Sequence, residues 1–397
     1  MEGKKIIHSL KLQNFLSFGS EGEDIELQPL NVLIGANASG KSNLIEAFGI
    51  LKALPTDLLA PIRRGGGVSE FLWKGSDDIP TAQIEAIVDY PEKIPLCYKL
   101  NFASVNQRVK IIEELVIDRY PYEGEEGVAL HYRSRNNGNS ILIGYDPTTN
   151  TKKPNQKISE QLNFNQSILS QISSIDMLYP EIIHIRSYFA NIELYREWNM
   201  GHNSKIRMPQ PTDLPEHPLL EDASNFGMYL NNLQHQIGAR KIIEKLKVFY
   251  EEAEELTTKI YGGTVQTFIR ETGLTQPIPA TRLSDGTLHY LFLMALLLDP
   301  TPPLLTCIEE PEIGLHPDMM PTIADMLIEA SQRTQLVVTT HSESLISALP
   351  PESVVVCERD YDGTRLRRLD PKKLKEWLKE YSLGHIWSAG EIGGTRW

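Results

Sequence analysis

Eight residues near the N-terminus constrain the fold of this chain more than any other stretch. Residues 35–42 read Gly-Ala-Asn-Ala-Ser-Gly-Lys-Ser, which fits the phosphate-binding pattern G-x-x-x-x-G-K-[ST]. Before them, the apolar stretch Asn31 to Ile34 predicts a strand. After them, Asn43 to Leu54 predicts a helix that stops at Pro55. A strand, a glycine-rich loop and a helix in this order predict an α/β fold that presents a helix N-terminus to phosphate groups.

The residue types of this loop suit the phosphates of a nucleotide. Glycine lets the backbone curve closely around the phosphates, so that its N–H groups can point at them. Lys41 is predicted to neutralise the β- and γ-phosphates, and Ser42 to offer its hydroxyl to Mg²⁺. ATP with Mg²⁺ is therefore the predicted ligand. The predicted nucleotide contacts in this region are Gly35, Ala36, Asn37, Ala38, Ser39, Gly40, Lys41, Ser42 and Asn43.

Two later strands end in polar side chains. Leu304 to Ile308 predicts a buried strand and is followed by Glu309 and Glu310. Buried strands of α/β proteins deliver their last side chains to the sheet edge where ligands bind. We therefore predict that Glu309 holds Mg²⁺ and that Glu310 polarises the attacking water. His341 follows the next predicted strand, Gln335 to Thr339, and is predicted to contact the γ-phosphate from the same edge.

A helix start lies between these regions. Leu283 to Thr287 reads Leu-Ser-Asp-Gly-Thr and opens an apolar helix that is predicted to end at Leu298. Ser284 is the predicted N-cap, and a helix N-terminus attracts anions. Taken alone, the motif is explained by ordinary helix capping. It lies 25 residues before Glu309 (309 − 284).

Composition restricts the classes of function. The net charge is 39 − 52 = −13, which excludes a constitutive, non-specific nucleic-acid binder but leaves a local basic groove open. The three cysteines have neither zinc-site spacing nor the even number of a disulfide framework. The longest apolar run, Leu291 to Leu298, is far too short to span a membrane, and the first ten residues lack the apolar region of a secretory signal. We expect a cytoplasmic protein that does not contact a membrane.

The rest of the chain predicts two further regions. Between residues 82 and 145, short β-like runs and an Asn137-Gly138 hairpin signal predict an antiparallel sheet. Between 158 and 260, apolar residues recur at helical spacing and predict a helical lobe, in which Ala253, Leu256 and Ile260 continue the last helix. The predicted organisation has three segments: 1–157 with the phosphate loop and the β subdomain, 158–282 as the helical lobe, and 283–397 completing the nucleotide-binding lobe.

The C-terminal segment predicts a hairpin and a helix. Val354 to Cys357 and Arg365 to Leu369 form the hairpin around Asp362-Gly363. A helix is predicted to begin at Pro371. Its expected apolar stripe is Leu374, Trp377, Leu378 and Tyr381.

These motifs, in this order, resemble the ABC-type ATPases, and specifically their RecF, SMC and OLD-like branch. Residues 12–18, Leu-Gln-Asn-Phe-Leu-Ser-Phe, resemble the first strand of that branch, often written NF-x-SF. Leu283 to Thr287 resembles the ABC signature, usually LSGGQ. Glu309 to Glu312, with Gly314 to Pro317, resembles the Walker B and D-loop region, and His341 matches the switch histidine. The resemblance covers both ends of the chain well and the middle poorly.

The resemblance implies a homodimer or higher homo-oligomer in which two subunits enclose two ATP molecules. The phosphate loop of one subunit would face the signature of the other, so that Ser284, Asp285 and Gly286 become nucleotide contacts. Glu310 would be the catalytic base, with Lys41 and His341 at the γ-phosphate. Ser42 and Glu309 would hold Mg²⁺.

Three positions depart from the family pattern. Glu309 stands where an aspartate is usual, and it is one methylene longer. Asp285 replaces a glycine close to the expected γ-phosphate, so its carboxylate must point away. The Q-loop has no evident glutamine, and Ile182 to Tyr188 is a strand-like candidate for it.

The predicted function is an ATP-hydrolysing, dimerising switch that controls a DNA-directed activity or a separate effector. Members of the family include DNA repair proteins and bacterial anti-phage defence ATPases. A non-hydrolysing ATP-binding scaffold is one alternative. A transporter ATP subunit is a weaker one, because 243 residues separate Lys41 from Ser284 (284 − 41). OLD-like proteins append a nuclease, but only 56 residues follow His341 (397 − 341), so we expect any nuclease to be a separate chain. DNA contact stays open, with Arg63-Arg64 as a candidate.

Overall fold

A computed structural model describes residues 3–76, 78–135, 140–146, 151–155, 162–163, 165–173 and 178–394. The chain divides into two compact units, each of which is discontinuous in sequence. The phosphate-loop unit contains Lys5–Ile192, Val355–Leu369 and Ile392–Trp397. The acidic-strand unit contains Met1–Lys4, Glu193–Val354 and Asp370–Glu391. The three-segment organisation predicted from the sequence stays a prediction.

The phosphate-loop unit contains an eight-stranded sheet whose strands pair antiparallel throughout. This sheet confirms the antiparallel sheet predicted for residues 82–145; the Asn137-Gly138 turn itself lies outside the described residues. The strand order is β2-β1-β4-β5-β6-β7-β8-β9. The strands are β1 (Ile7–Gln13), β2 (Glu23–Glu26), β4 (Ala82–Val88), β5 (Leu96–Val105), β6 (Arg108–Asp118), β7 (Leu130–Arg135), β8 (Ser140–Asp146) and β9 (Thr151–Pro154).

The phosphate loop of the same unit is carried by a second group of strands. The strand before the loop, β3 (Leu30–Ile34), is buried at all five residues, as expected for a strand of continuous apolar sequence covered on both faces. It is followed in sheet order by β17 (Val354–Asp360) and β18 (Gly363–Arg368), which form the predicted hairpin. The helices of this unit are α1 (Lys41–Ala53), α2 (Leu59–Arg64), α3 (Ile168–Gln171) and α4 (Pro180–Ala190), with a 3₁₀ turn at Val68–Phe71.

The acidic-strand unit is built around two parallel strands. Strand β15 (Leu305–Glu309) pairs in parallel with β16 (Gln335–Thr339), and the register sets Glu309 opposite Thr339. In sheet order, β10 (Ile192–Tyr195) lies on the other side of β15. Both parallel strands are apolar and almost fully buried, as the sequence predicted. Their carboxyl ends therefore meet at one sheet edge.

Helices and a smaller sheet complete this unit. Helix α7 (Asp285–Leu298) is apolar all round and buried from Thr287 to Leu298, which makes it a central core helix. The other helices are α5 (Phe226–Ile237), α6 (Ala239–Phe249), α8 (Met320–Ala330), α9 (Glu343–Ser347), α10 (Pro371–Leu374) and α11 (Leu383–Ser388). The smaller sheet has the order β11-β13-β12, with β14 beside β13, and consists of β11 (Gln210–Pro211), β12 (Ala253–Tyr261), β13 (Thr264–Glu271) and β14 (Ile278–Pro279). Short 3₁₀ turns cover Ala280–Arg282, Pro317–Met319, Pro351–Ser353 and Trp377–Lys379.

The end of the predicted helical lobe was assigned to the wrong element. Residues 253–261 form β12, which pairs antiparallel with β13 across a turn at Gly262 and Gly263. Both glycines have positive φ, which suits the tight turn of a hairpin. Leu256 and Ile260 are four residues apart, a spacing that satisfies strand alternation as well as a helix. The β-branched residues around them and the Gly-Gly pair favour the strand.

Two other predicted elements also differ from the structure. Ile182 to Tyr188, the strand-like Q-loop candidate, lies inside helix α4, which begins at Pro180. The C-terminal helix stops at Leu374, and the expected apolar stripe is broken, because Trp377 and Tyr381 are each 45% exposed. Trp387 is buried in α11. Among the described residues, every helix is too short or too polar to cross a membrane.

Candidate functional site

The phosphate loop has the backbone that its glycines predicted. Gly35 and Gly40 have positive φ, and a Cβ at either position would collide with neighbouring atoms of the same unit. At Gly35 the obstacle is the carbonyl of Cys357, and at Gly40 it is the Thr364 side chain. Asn37 and Ala38 are exposed at the crest of the loop. The close approach of the Cys357 backbone at Gly35 and of the Thr364 side chain at Gly40 explains why only glycine fits these positions.

Lys41 lies inside the loop. Its Nζ donates hydrogen bonds to the carbonyl oxygens of Gly35 and Ala36, each at 2.9 Å. The residue is only 6% exposed. Ser42 and Asn43 follow in the first turn of α1, where Ser42 is exposed. The loop therefore holds a positive charge at its centre and a hydroxyl at its rim.

Two side chains from distant parts of the sequence support the loop. Asn43 Nδ2 donates to Ser17 Oγ at 2.7 Å. Thr364 Oγ1 lies 2.7 Å from Ser17 Oγ and 2.9 Å from the carbonyl oxygen of Ser39. Ser17 belongs to the NF-x-SF stretch, whereas no sequence motif marked Thr364. The β18 strand thus fixes the loop that follows β3.

A pocket of about 320 Å³ opens beside this support. Ser17 and Asn43 line it together with Trp73, Arg359 and Tyr361. The Arg359 guanidinium carbon lies 5.9 Å from the centre of the Trp73 ring, within cation–π range. Tyr361 is fully exposed. The pocket combines a flat aromatic surface with polar groups, which suits a planar heterocycle.

The acidic strand end contains the predicted catalytic residues. Glu309 is the last residue of β15, and Glu310 turns out of the strand with a φ of 48°. The Glu310 N–H donates to the carbonyl oxygen of Thr339 at 2.9 Å. Glu310 Oε1 lies 3.7 Å from His341 Nε2, and their side chains are 40% and 25% exposed. The structure therefore brings Glu309, Glu310 and His341 to one edge of the sheet.

Glu312 fastens this edge. Its Oε1 accepts hydrogen bonds from Thr340 Oγ1 at 2.8 Å and from the His341 N–H at 2.6 Å. Burial raises the pKa of the Glu312 carboxyl above its ordinary value. The sequence placed Glu312 in a motif but gave it no role. It ties the residues after β15 to the residues after β16.

A segment after β10 also contacts the strand end. The indole Nε1 of Trp198 donates to the carbonyl oxygen of Glu309 at 2.6 Å, and Arg196 Nε lies 3.5 Å from Glu309 Oε1. The Trp198 ring stacks on His289 at 4.4 Å. The sequence offered Ile182 to Tyr188 as the Q-loop candidate and gave Arg196 and Trp198 no role, although these two residues contact Glu309.

The helix start at Ser284 has the predicted cap. Ser284 Oγ accepts a hydrogen bond from the Thr287 N–H at 3.0 Å. A Cβ at Gly286 would lie 2.9 Å from the carbonyl oxygen of Gly314, so a larger residue does not fit there. His289 Nδ1 lies 2.5 Å from the carbonyl oxygen of Ile313. Burial lowers the pKa of His289 to about 4, so its imidazole is neutral and donates this bond.

Asp285, the residue that departs from the family pattern, has a partner. Its carboxylate forms an ion pair with Arg207. The Asp285 side chain is 67% exposed, whereas the Arg207 side chain is only 6% exposed. The sequence required this carboxylate to point away from a phosphate but identified no partner for it, because Arg207 lies 78 residues earlier.

The sequence of the chain matches one family model and one curated protein. The sequence model of a family described as "AAA domain, putative AbiEii toxin, Type IV TA system" matches residues 30–83 and 159–347. The Old nuclease of Escherichia phage P2 is 32% identical over 79 residues. That match covers 20% of this chain and 14% of the nuclease, so the chain spans only a small part of the length of that relative.

Solved structures of SMC head domains share the fold. An SmcHead bound to the C-winged helix domain of ScpA has a TM-score of 0.56 at 13% identity, covering 94% of this chain and 100% of that one. A Pyrococcus furiosus Smc head domain with an extended coiled coil, bound to the C-terminal domain of ScpA, has a TM-score of 0.50 at 14% identity, covering 94% and 99%. The predicted fold class, an α/β head with an antiparallel β subdomain, is confirmed.

Proposed function

This chain belongs to the AAA-domain family described as a putative AbiEii toxin of a type IV TA system, and from that premise we propose that it binds and hydrolyses ATP as a dimerising switch. The observation that carries the proposal is the phosphate loop. Lys41 is buried at its centre, and Gly35 and Gly40 occupy positions that no side chain could fill. A loop of this shape and charge suits a polyphosphate.

ATP would lie on the phosphate-loop unit in a definite orientation. Its β- and γ-phosphates would replace the carbonyl oxygens of Gly35 and Ala36 as partners of Lys41. The adenine would enter the pocket beside Ser17 and contact the accessible part of the Trp73 ring, a residue that is 9% exposed. Asn43, in the first turn of α1 after the phosphate loop, also lines this pocket, which supports a single nucleotide position within this unit.

Magnesium would be the metal that accompanies ATP. The Ser42 hydroxyl and, in the acidic-strand unit, the Glu309 carboxylate are each a hard oxygen donor of the kind that Mg²⁺ prefers together with phosphate oxygens and water. When bound, Mg²⁺ would neutralise charge that develops on the phosphates. Glu309 is one methylene longer than the usual aspartate, and its contacts with the Arg196 to Trp198 segment position it.

Hydrolysis would depend on Glu310 and His341. The Glu310 carboxylate can accept a hydrogen bond from a water molecule and raise its nucleophilicity. His341, 3.7 Å away, would orient that carboxylate or donate to the γ-phosphate. Glu312 holds the His341 backbone in place by its 2.6 Å hydrogen bond.

Dimerisation would place the start of α7 at the nucleotide of a second copy. Ser284, Asp285 and Gly286 would then meet the γ-phosphate held by the partner's phosphate loop, and hydrolysis would release the pair. We propose that this cycle controls a DNA-directed activity or a separate effector or nuclease chain, with anti-phage defence as the setting. The partial match to the Old nuclease of phage P2 supports a nuclease as the activity that is controlled.

The decisive measurement combines phosphate release with sedimentation. With ATP and Mg²⁺ the protein should release phosphate and shift toward a dimer, and with ADP it should not. ATP binding without any phosphate release would favour the non-hydrolysing scaffold. If the protein neither binds ATP nor releases phosphate, the proposed nucleotide function is wrong.

A further inference from the structure

Asp285 places a carboxylate at the first residue of α7. Under the proposed function, the triphosphate of a second copy approaches this helix start. The Asp285 carboxylate would repel the phosphate oxygens. It would do so at the N-terminus of α7, where the free helix N–H groups otherwise attract a phosphate. The chain therefore needs a device that cancels the charge of Asp285 without blocking the helix start.

Arg207 has the contacts of such a device. Its Nη2 forms the ion pair with Asp285, and its Nη1 donates to the carbonyl oxygens of Leu283 at 2.5 Å and Ala280 at 3.4 Å. Its Nε donates to the carbonyl oxygen of Met200 at 2.8 Å. One planar guanidinium thus joins the turn before α7, the first residue of α7 and the loop after β10.

Burial keeps this arrangement in one geometry. Arg207 is 5% exposed, and its backbone N–H is fixed in a turn by the Ser204 carbonyl at 3.1 Å. Arginine stays protonated at every ordinary pH, and its rigid fork loses little freedom when several acceptors surround it. Lysine could not reach the same acceptors with a single ammonium.

We propose that Arg207 is a positioning residue for the signature helix. It neutralises Asp285, so that Ser284 and the first N–H groups of α7 can receive the γ-phosphate bound to a second copy. This inference rests on the proposed function. It adds the residue that makes an aspartate compatible with phosphate recognition.

The test measures ATP-dependent association by sedimentation in a Glu310→Gln background, in which slow hydrolysis preserves the assembled state. Arg207→Gln should weaken association about tenfold or more, because it exposes the Asp285 charge to the nucleotide. Arg207→Gln/Asp285→Asn should recover association to within about threefold of the background. Arg240→Gln is the matched control and should have no effect, because it removes an arginine that is paired with Glu244 on the exposed face of α6.

The recovery separates positioning from mere structural support. Both Arg207 variants lack the carbonyl contacts, so a purely structural role predicts equal losses in the single and double variants. That result, or full association of Arg207→Gln, overturns the proposal. If Arg207→Gln does not fold, Asp285→Asn alone decides: it should strengthen association, and equal or weaker association overturns the proposal.

The background variant distinguishes this inference from the proposed function. If two copies of Glu310→Gln do not associate in the presence of ATP, the proposed ATP-dependent dimer is wrong, and the proposed role of Arg207 is wrong with it. If the background associates and the double variant does not recover, only the role of Arg207 is lost. Thermal unfolding of each variant confirms that the comparison is made on folded protein.

Discussion

The phosphate loop and the acidic strand end hold their central side chains in opposite ways. Lys41 is 6% exposed and bound at 2.9 Å to two carbonyl oxygens of its own loop. Glu310 is 40% exposed, and its nearest described ionic neighbour, His341, is 3.7 Å away. The Lys41 side chain is therefore enclosed by its own loop, whereas the Glu310 side chain is partly open to solvent.

Both regions contain backbone with positive φ. In the loop it falls on Gly35 and Gly40, which adopt it without steric cost, and also on Ala38. At the strand end it falls on Glu310, where a side chain costs on the order of 1 kcal/mol or more. A glycine there would relieve the strain but remove the carboxylate.

The largest expected effect tests the phosphate loop. Lys41→Ala should abolish measurable ATP binding, with a loss of about 100-fold or more, because the phosphates lose their central charge. Lys52→Ala, on the same helix, is the charge-matched control. Calorimetry at constant ionic strength measures both. Unchanged affinity in folded Lys41→Ala would remove the loop from nucleotide binding.

Glu310→Gln tests the acidic strand end. ATP should still bind, because the phosphate loop is untouched, while phosphate release should fall by about 10²-fold or more, since glutamine cannot act as a base. The variant should accumulate as an ATP-dependent dimer. Glu343→Gln, an exposed glutamate in the first turn of α9, should behave like the wild type. Wild-type turnover in Glu310→Gln would exclude Glu310 from catalysis.

A smaller effect tests whether the pocket beside the phosphate loop binds the base of ATP. Trp73→Ala should weaken ATP binding about tenfold, the scale of one base–aromatic stack. Binding of inorganic triphosphate should not change, because it uses only the phosphate loop. Trp73→Phe should restore most of the ATP affinity. Equal losses for ATP and triphosphate would show that the variant damaged the loop and that the pocket does not bind the base.

A pH-dependent effect on stability, separate from the nucleotide, concerns His289 in the acidic-strand unit. Burial lowers its pKa from 6.5 to about 4, so below pH 6.5 the unfolded chain binds a proton that the folded chain does not. The stabilisation is fully present above pH 6.5 and is lost as the pH falls toward 4, up to about 3 kcal/mol in total.

Unfolding free energies at pH 7 and pH 5 measure this contribution. The wild type should lose about 2 kcal/mol from this residue over that interval, and His289→Gln should lose correspondingly less. His202→Gln, at an exposed histidine, provides the comparison. An identical pH dependence in wild type and His289→Gln would contradict the assignment of a buried neutral imidazole.

Local sequence was sufficient to predict the parts of the molecule that local chemistry determines. The glycines of the phosphate loop, the apolar strands β15 and β16 and the Ser284 cap all follow from neighbouring residues. The sequence predicts a helix for residues 253–261 because apolar residues four apart lie on one face of an α-helix and also on one face of a β-strand. The neighbouring Gly262-Gly263 turn would have corrected this.

Long-range partners could not be predicted in the same way. Trp73 and Arg359 meet in one pocket although they are 286 residues apart (359 − 73). Arg207 and Asp285 are separated by 78 residues, and nothing in either sequence neighbourhood points to the other. Such pairings depend on how the elements pack, which a single sequence does not reveal.

The contacts of Thr364 with Ser17 and the Ser39 carbonyl also set an order of events during synthesis. The N-terminal loop emerges from the ribosome early, but its support arrives only when about 364 residues have been made, on the order of half a minute later. Until β17 and β18 take their places after β3, the loop lacks its lateral hydrogen bonds. A chain that ends before β18 therefore lacks the contacts of Thr364 with Ser17 and with the Ser39 carbonyl.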